Sequence, residues 1–148
     1  MKHLLVGIDG SDGGDAAVEE ALALAPDLRA MLTFVCVRNA VSRRLEGPFY
    51  ERSLQQGRER ARNVVEHAME LAEEAGIEAD GEILDGDPAD EIVSLADNRG
   101  SDLIVVGSRA HGPLAGALLG SVAIAVVQHA KSPVLVAKQA PTRNGQVA

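Results

Sequence analysis

Two glycine-bearing turns carry the residue types that hold an anion. The first is Asp9-Gly10-Ser11, which ends the apolar run His3 to Ile8. The second leaves the apolar run Leu103 to Val106 at Gly107-Ser108-Arg109. It passes Ala110, His111 and Gly112, and reaches Gly120-Ser121-Val122, where another apolar stretch starts. Glycine lets a ligand approach bare backbone, and the free N–H groups and dipole of a helix start favour phosphate. Arg109 and His111 are polar groups suited to phosphate oxygens. The second turn is also long. Strand-to-helix connections in α/β folds usually take about 2–6 residues, so the surplus suits a binding loop.

The elements that must position these turns follow from periodicity. His3 to Ile8 reads as strand one. Asp15 caps a helix of alanine and leucine from Ala16 to Ala25, ended by Pro26. Met31 to Val37 is strand two, and Arg38 to Tyr50, with Gly47-Pro48, is a loop. Glu51 to Ala75 repeats apolar residues at three- and four-residue steps, and Gly76 stops it. Ile77 to Leu84 is strand three. Asp87 caps the next helix, Pro88 takes its first position, and it ends near Gly100. Leu103 to Val106 is strand four. Ser121, as N-cap, opens a helix to Ala130 whose apolar first turns predict deep burial. Ser132-Pro133 breaks it, and Val134 to Ala137 is strand five. Five strands alternating with four helices predict one α/β domain with a parallel sheet and right-handed crossovers. If strands one and four are neighbours, Asp9-Gly10-Ser11 and Gly107-Ser108 face each other across a crevice at the switch point.

Composition narrows the partners. The 148 residues carry 14 basic and 22 acidic side chains, a formal charge of −8. That sign opposes duplex nucleic acid and anionic membranes as partners. It leaves room for one anion held locally by backbone. With only Phe34, Phe49 and Tyr50 as aromatics, the core must be aliphatic, as between a parallel sheet and its helices. The single cysteine, Cys36, reads as a small buried hydrophobe and fits a reducing cytoplasm. His3, His67 and His129 have no ligand-like spacing to one another or to Cys36, so no zinc site is expected. The start lacks a signal-peptide pattern, and no segment approaches about 18 apolar residues.

Gly107-Ser108-Arg109-Ala110, nine residues and then Gly120-Ser121 resembles the ATP-binding signature of the universal stress protein family: Gly-x-x-Gly, nine residues, Gly-Ser/Thr. VGIDGS, Gly86 to Ile92, SDLIVVGSR, LLGSVA and SPVLVAK match in the family's order, so the resemblance covers residues 1–138. Residues 139–148 are left as a tail. The resemblance implies a single three-layer domain with sheet order 3-2-1-4-5, like the adenine-nucleotide alpha-hydrolases. It implies a homodimer through strand five, Pro133 to Ala137. It also assigns roles for ATP. Asp9 meets the adenosine, Val37 packs by the base through its backbone, Gly107 and Gly120 receive ribose and phosphates, and Ser121 bonds phosphate. Ile8, Gly10, Ser11, Val106, Ser108, Arg109, His111, Gly112 and Val122 complete the expected lining. Mg²⁺ would arrive bound to ATP beside Asp9.

One departure stands inside the signature: Ala110 occupies the second glycine position. Its methyl group is placed to crowd phosphates, and Gly112, two residues on, to shift the turn. Three functions follow. One is an ATP-binding stress regulator without metabolic turnover. The second is a dimeric interaction module of the same fold that binds no nucleotide. The third is a slow ATP hydrolase. Gly-x4-Gly-Lys-Ser/Thr and Gly-x-Gly-x-x-Gly are both absent, which disfavours P-loop and dinucleotide enzymes.

Overall fold

In the computed structural model, residues 1–39, 48–108 and 119–138 are described. Strands and helices alternate along the chain: β1 (Lys2–Gly7), α1 (Asp12–Leu28), β2 (Ala30–Arg38), α2 (Pro48–Glu74), β3 (Ala79–Asp85), α3 (Pro88–Arg99), β4 (Leu103–Gly107), α4 (Ser121–His129) and β5 (Val134–Ala137). All neighbouring strands are parallel, in the order β3-β2-β1-β4-β5. The expected sheet order is the observed one. Alternation along each strand sorts the core into two layers. Leu4, Val6, Leu32, Phe34 and Val105 pack with α1 and α2, while Leu5, Val35, Ile104 and Val106 pack with α3 and α4. Phe34 is fully buried at the centre of the first layer.

Several boundaries differ from expectation, each for a local reason. The cap of α1 is Ser11, not Asp15: the Gly14 N–H donates to Ser11 Oγ at 3.2 Å. Gly13 and Gly14 are poor helix formers, yet they lie within the first turn, where a Cβ on Gly14 would sit 3.0 Å from Asp9 Oδ1 and 3.1 Å from Asp9 N. Pro26 does not end α1. In the last turn it removes one hydrogen bond, and the helix continues to Leu28 before Arg29 closes it at φ 52°. The loop expected from Arg38 is narrower, since β2 includes Arg38 and α2 begins at Pro48. Strand β3 begins at Ala79 because the Ile77 N–H is still used by the α2 terminus, donating to Ala72 O at 2.9 Å. Helix α3 follows expectation, with Asp87 as cap, Pro88 first and Gly100 at φ 63° closing it.

Helix α4 departs most. Its N-cap is Gly120, which makes no side-chain cap bond, and Ser121 is the first helical residue. The expected deep burial holds only for Ala123 and Val126. Ile124 and Val127 are 43% and 50% exposed, because α4 lies over the sheet margin at β5 with one face open. Arg109, Ala110, His111, Gly112 and the tail 139–148 lie outside the described residues.

Candidate functional site

The crossovers from β1 and β4 leave the sheet on opposite faces, and a cavity of about 440 Å³ opens where they part. That volume falls in the range of about 300–1,000 Å³ usual for small-molecule sites. Ile8, Asp9 and Ser11 form one wall, Val106, Gly107 and Ser108 the facing wall, and Gly120, Ser121 and Val122 the end. The two turns that sequence places far apart therefore meet. Val37 lines the base of the cavity with Val35. Gly10 is the exception among the described candidates. It lines a smaller groove between α1 and α2, at φ 82°, with its Cβ position against Val64.

Asp9 is held by its own turn. Its Oδ1 accepts from the Ser11 N–H at 2.9 Å and from the Ser11 hydroxyl, whose oxygen in turn caps α1. One carboxylate oxygen thus orders the start of α1, and the other has no hydrogen-bond partner among the described residues. Beneath the turn, burial first and the Asp9 charge second push the Cys36 thiol up, so this sulfur stays a protonated core atom.

The β2 backbone offers a second recognition edge. Val35 O accepts from Ile8 N at 2.9 Å on the β1 side, and Arg38 O accepts from Gly86 N at 2.9 Å on the β3 side. Alternation puts the Val37 N–H and C=O on the β1 side, two residues beyond the last β1–β2 pair, Gly7 with Val35. A donor and an acceptor therefore face the cavity side by side.

The far end is set up for negative charge. A backbone bond from Gly120 N to Ser108 O, 2.6 Å, closes the neck of the long connection. That bond takes the Gly120 N–H, so the donors of α4 are those of Ser121, Val122 and Ala123, which have no intrahelical carbonyl. Ser11 and Gly14 of α1 and Pro88 of α3 reach the same cavity. Three helix starts thus converge on it, each with its positive pole inward. Pro88, Ile92 and Asn39 also line it and were not legible as site residues. Pro88 reads from sequence as a helix start, and Ile92 only as the end of the matching segment Gly86 to Ile92.

Gly107 has a packing reason besides any ligand. A Cβ there would sit 2.3 Å from the Gly13 carbonyl oxygen and 2.5 Å from its carbon. The start of α1 rests directly on the end of β4. Among the described lining residues Asp9 is the only ionisable one, and no group of three or more His, Cys, Asp or Glu able to hold a metal occurs among the described residues.

Comparison with known proteins fits this geometry. A profile of the universal stress protein family matches residues 1–138. Universal stress protein YxiE of Bacillus subtilis is 37% identical over 147 residues, covering 93% of this chain and 99% of that protein. The solved structure of MJ0577 from Methanocaldococcus jannaschii superposes with a TM-score of 0.81 at 27% identity, covering 95% of this chain and 98% of that one. A universal stress protein crystallised in complex with cAMP superposes at 0.70 with 30% identity, covering 94% of this chain and 98% of that one.

Proposed function

The chain belongs to the universal stress protein family and has its adenine-nucleotide alpha-hydrolase-like fold, and we propose that it is a cytoplasmic ATP-binding regulator without metabolic turnover. The observation that carries this reading is the pairing, across one cavity, of an open backbone edge at Val37 with the uncapped start of α4. Adenine presents an acceptor at N1 beside a donor at N6, which the Val37 N–H and C=O complement. Guanine presents the reverse. Asp9 accepts from ribose hydroxyls, and Ile8 and Val106 supply apolar walls. Phosphates meet the N–H groups of Ser121 and Val122, the Ser121 hydroxyl, and the turn at Gly107 and Ser108. Arg109, His111 and Gly112, outside the described residues, are proposed as further phosphate contacts. The cAMP complex of a relative supports a nucleotide ligand of this size. Among the described lining residues Asp9 alone is ionisable, which supports binding without turnover, since general acid–base chemistry needs a further positioned group. One carboxylate does not make a metal cage. Mg²⁺ fits this site only as a passenger on the triphosphate, which it would neutralise.

Denaturing the purified protein and weighing the released ligand tests the reading, followed by calorimetric titration of the emptied protein. ATP and AMP are expected to bind, and GTP at least about tenfold more weakly, the worth of one reversed hydrogen-bond pair. Flat titrations with millimolar ATP and AMP overturn the proposal. GTP binding as tight as ATP removes the role of Val37.

The chain is also proposed to pair with a second copy through β5. Among the described residues that strand bonds only β4, and α4, which packs by it, exposes Ile124 and Val127. An unguarded edge beside an apolar strip favours pairing across a twofold axis. The protein is expected to sediment as a dimer, and the Ile124→Lys, Val127→Lys double variant as a folded monomer. A double variant that stays dimeric refutes this interface.

A further inference from the structure

At the opposite ends of the strands from the cavity, one hydrogen-bond chain crosses the sheet. Ser101 Oγ lies 2.8 Å from His3 Nδ1, and Thr33 Oγ1 lies 2.7 Å from His3 Nε2. Thr33 Oγ1 donates to Asp80 Oδ1 at 2.5 Å, and Arg99 Nη1 donates to Asp80 Oδ2 at 3.0 Å. The lead-in to β4, then β1, β2 and β3 each contribute one residue, in their order in the sheet. Thr33 is fully buried and Ser101 nearly so.

The carboxylate fixes the position of every proton. An ionised carboxylate only accepts, so the Thr33 hydroxyl donates to it. The Thr33 oxygen is then an acceptor for His3, which carries its proton on Nε2. Nδ1 is bare and accepts from the Ser101 hydroxyl. A second proton would turn Nδ1 into a donor aimed at Ser101 Oγ, which would have to rotate its own hydrogen away inside a buried site. The charged groups around His3 are Asp80 and Glu82 of β3, Arg99 of α3, Asp102 before β4 and Lys2 of β1. Arg99 is paired with Asp80 and Glu82, and Lys2 lies 3.9 Å from Asp102. Burial, then Arg99, holds the imidazole below its ordinary range, against the pull of Asp80 and Asp102.

Ser101 also fastens the last strand. Its carbonyl accepts from Ser132 Oγ at 2.9 Å, just before β5, and the next carbonyl along, Pro133 O, accepts from Ile104 N at 3.0 Å. Asp102 clamps the same joint to His3, donating N–H to His3 O and accepting from His3 N, both at 2.8 Å.

We propose that the Ser101–His3–Thr33–Asp80 chain is an acid-sensing latch, and that protonation of His3 loosens the junction holding β5 to the sheet. The unfolded or opened chain takes up the His3 proton near pH 6.5, and the closed fold resists it. Closure is therefore at full strength above that pH and weakens as pH falls below it, by at most about tenfold per pH unit. Asp80, held below its ordinary value of 3.8, acts only at far lower pH. Its burial opposes the charge, and the hydrogen bonds from Thr33 and Arg99 together with the Arg99 charge outweigh that burial.

Amide hydrogen exchange at pH 7.5 and 5.5, corrected for intrinsic rates, tests the latch. Protection at Ile104 and along β5 is expected to fall about tenfold at the lower pH, while amides at the centre of β2 keep theirs. His67→Gln should retain this loss and His3→Gln should abolish it. Nitrogen NMR of the wild-type ring supplies a readout independent of any variant: an Nε2–H tautomer titrating below 6.5. Unchanged protection in the wild type, an equal loss in His3→Gln, a loss spread evenly over β2, or a His3 midpoint at or above 6.5 each overturns the proposal.

Discussion

Gly107→Ala is expected to destabilise the fold by about 3 kcal/mol and to weaken nucleotide binding together with it. The added methyl would lie 2.3 Å from the Gly13 carbonyl oxygen and 2.8 Å from the Gly13 Cα. These are backbone atoms in the first turn of α1, so no side chain can swing aside. Either α1 lifts from β4 or the end of β4 bends, and both movements distort the wall that carries Ser11 and Gly14. Gly57→Ala is the matching control. Its Cβ position meets only the Arg38 guanidinium, at 3.5 Å, in the middle of α2. That change is expected to stabilise by up to about 1 kcal/mol. Urea unfolding of both variants checks the pair, and a Gly107→Ala protein as stable as wild type would show that α1 does not rest on β4.

Asp9→Ala is expected to lower ATP affinity by about tenfold to a hundredfold, the loss of a charged hydrogen-bond acceptor at the ribose. It should lower stability by only about 1 kcal/mol, through a looser Ser11 cap. Ser11→Ala separates the two effects. It removes the cap and leaves the carboxylate, so stability should fall by a similar amount with affinity largely kept. Calorimetry and urea unfolding on both variants read the split. Asp9→Ala with unchanged ATP affinity would remove Asp9 from the proposed contacts.

The α/β class was legible from long-range regularities, while the sheet order, and with it the meeting of the two turns, was implied by the family resemblance. Apolar runs such as Leu4 to Val6 and Ile104 to Val106 alternate with helical periods, and parallel crossovers leave few topologies. What sequence misplaced was decided by contacts between distant segments. Gly13 and Gly14 read as turn residues by propensity, yet are helical, with Gly13 packed on Gly107 of β4 and Gly14 on Asp9. Ile124 and Val127 read as core because they are apolar, but the sheet ends before it reaches them. His3 showed no partner spacing. The other members of its chain, Thr33 on β2, Asp80 on β3 and Ser101 just before β4, come together only once the register Leu5–Thr33 and Thr33–Asp80 is set. Ile92 likewise lines the cavity from α3, and its own sequence does not mark it as a site residue.

The convergence of three helix starts on one cavity sets how a ligand experiences this molecule at different distances. The chain as a whole carries −8, so an anionic nucleotide approaching from solvent meets repulsion before anything else. Salt hides that repulsion beyond about 8 Å at physiological ionic strength. The favourable dipoles act only within about one turn of each helix. Attraction therefore begins inside the mouth, and capture depends on random entry rather than on steering from afar.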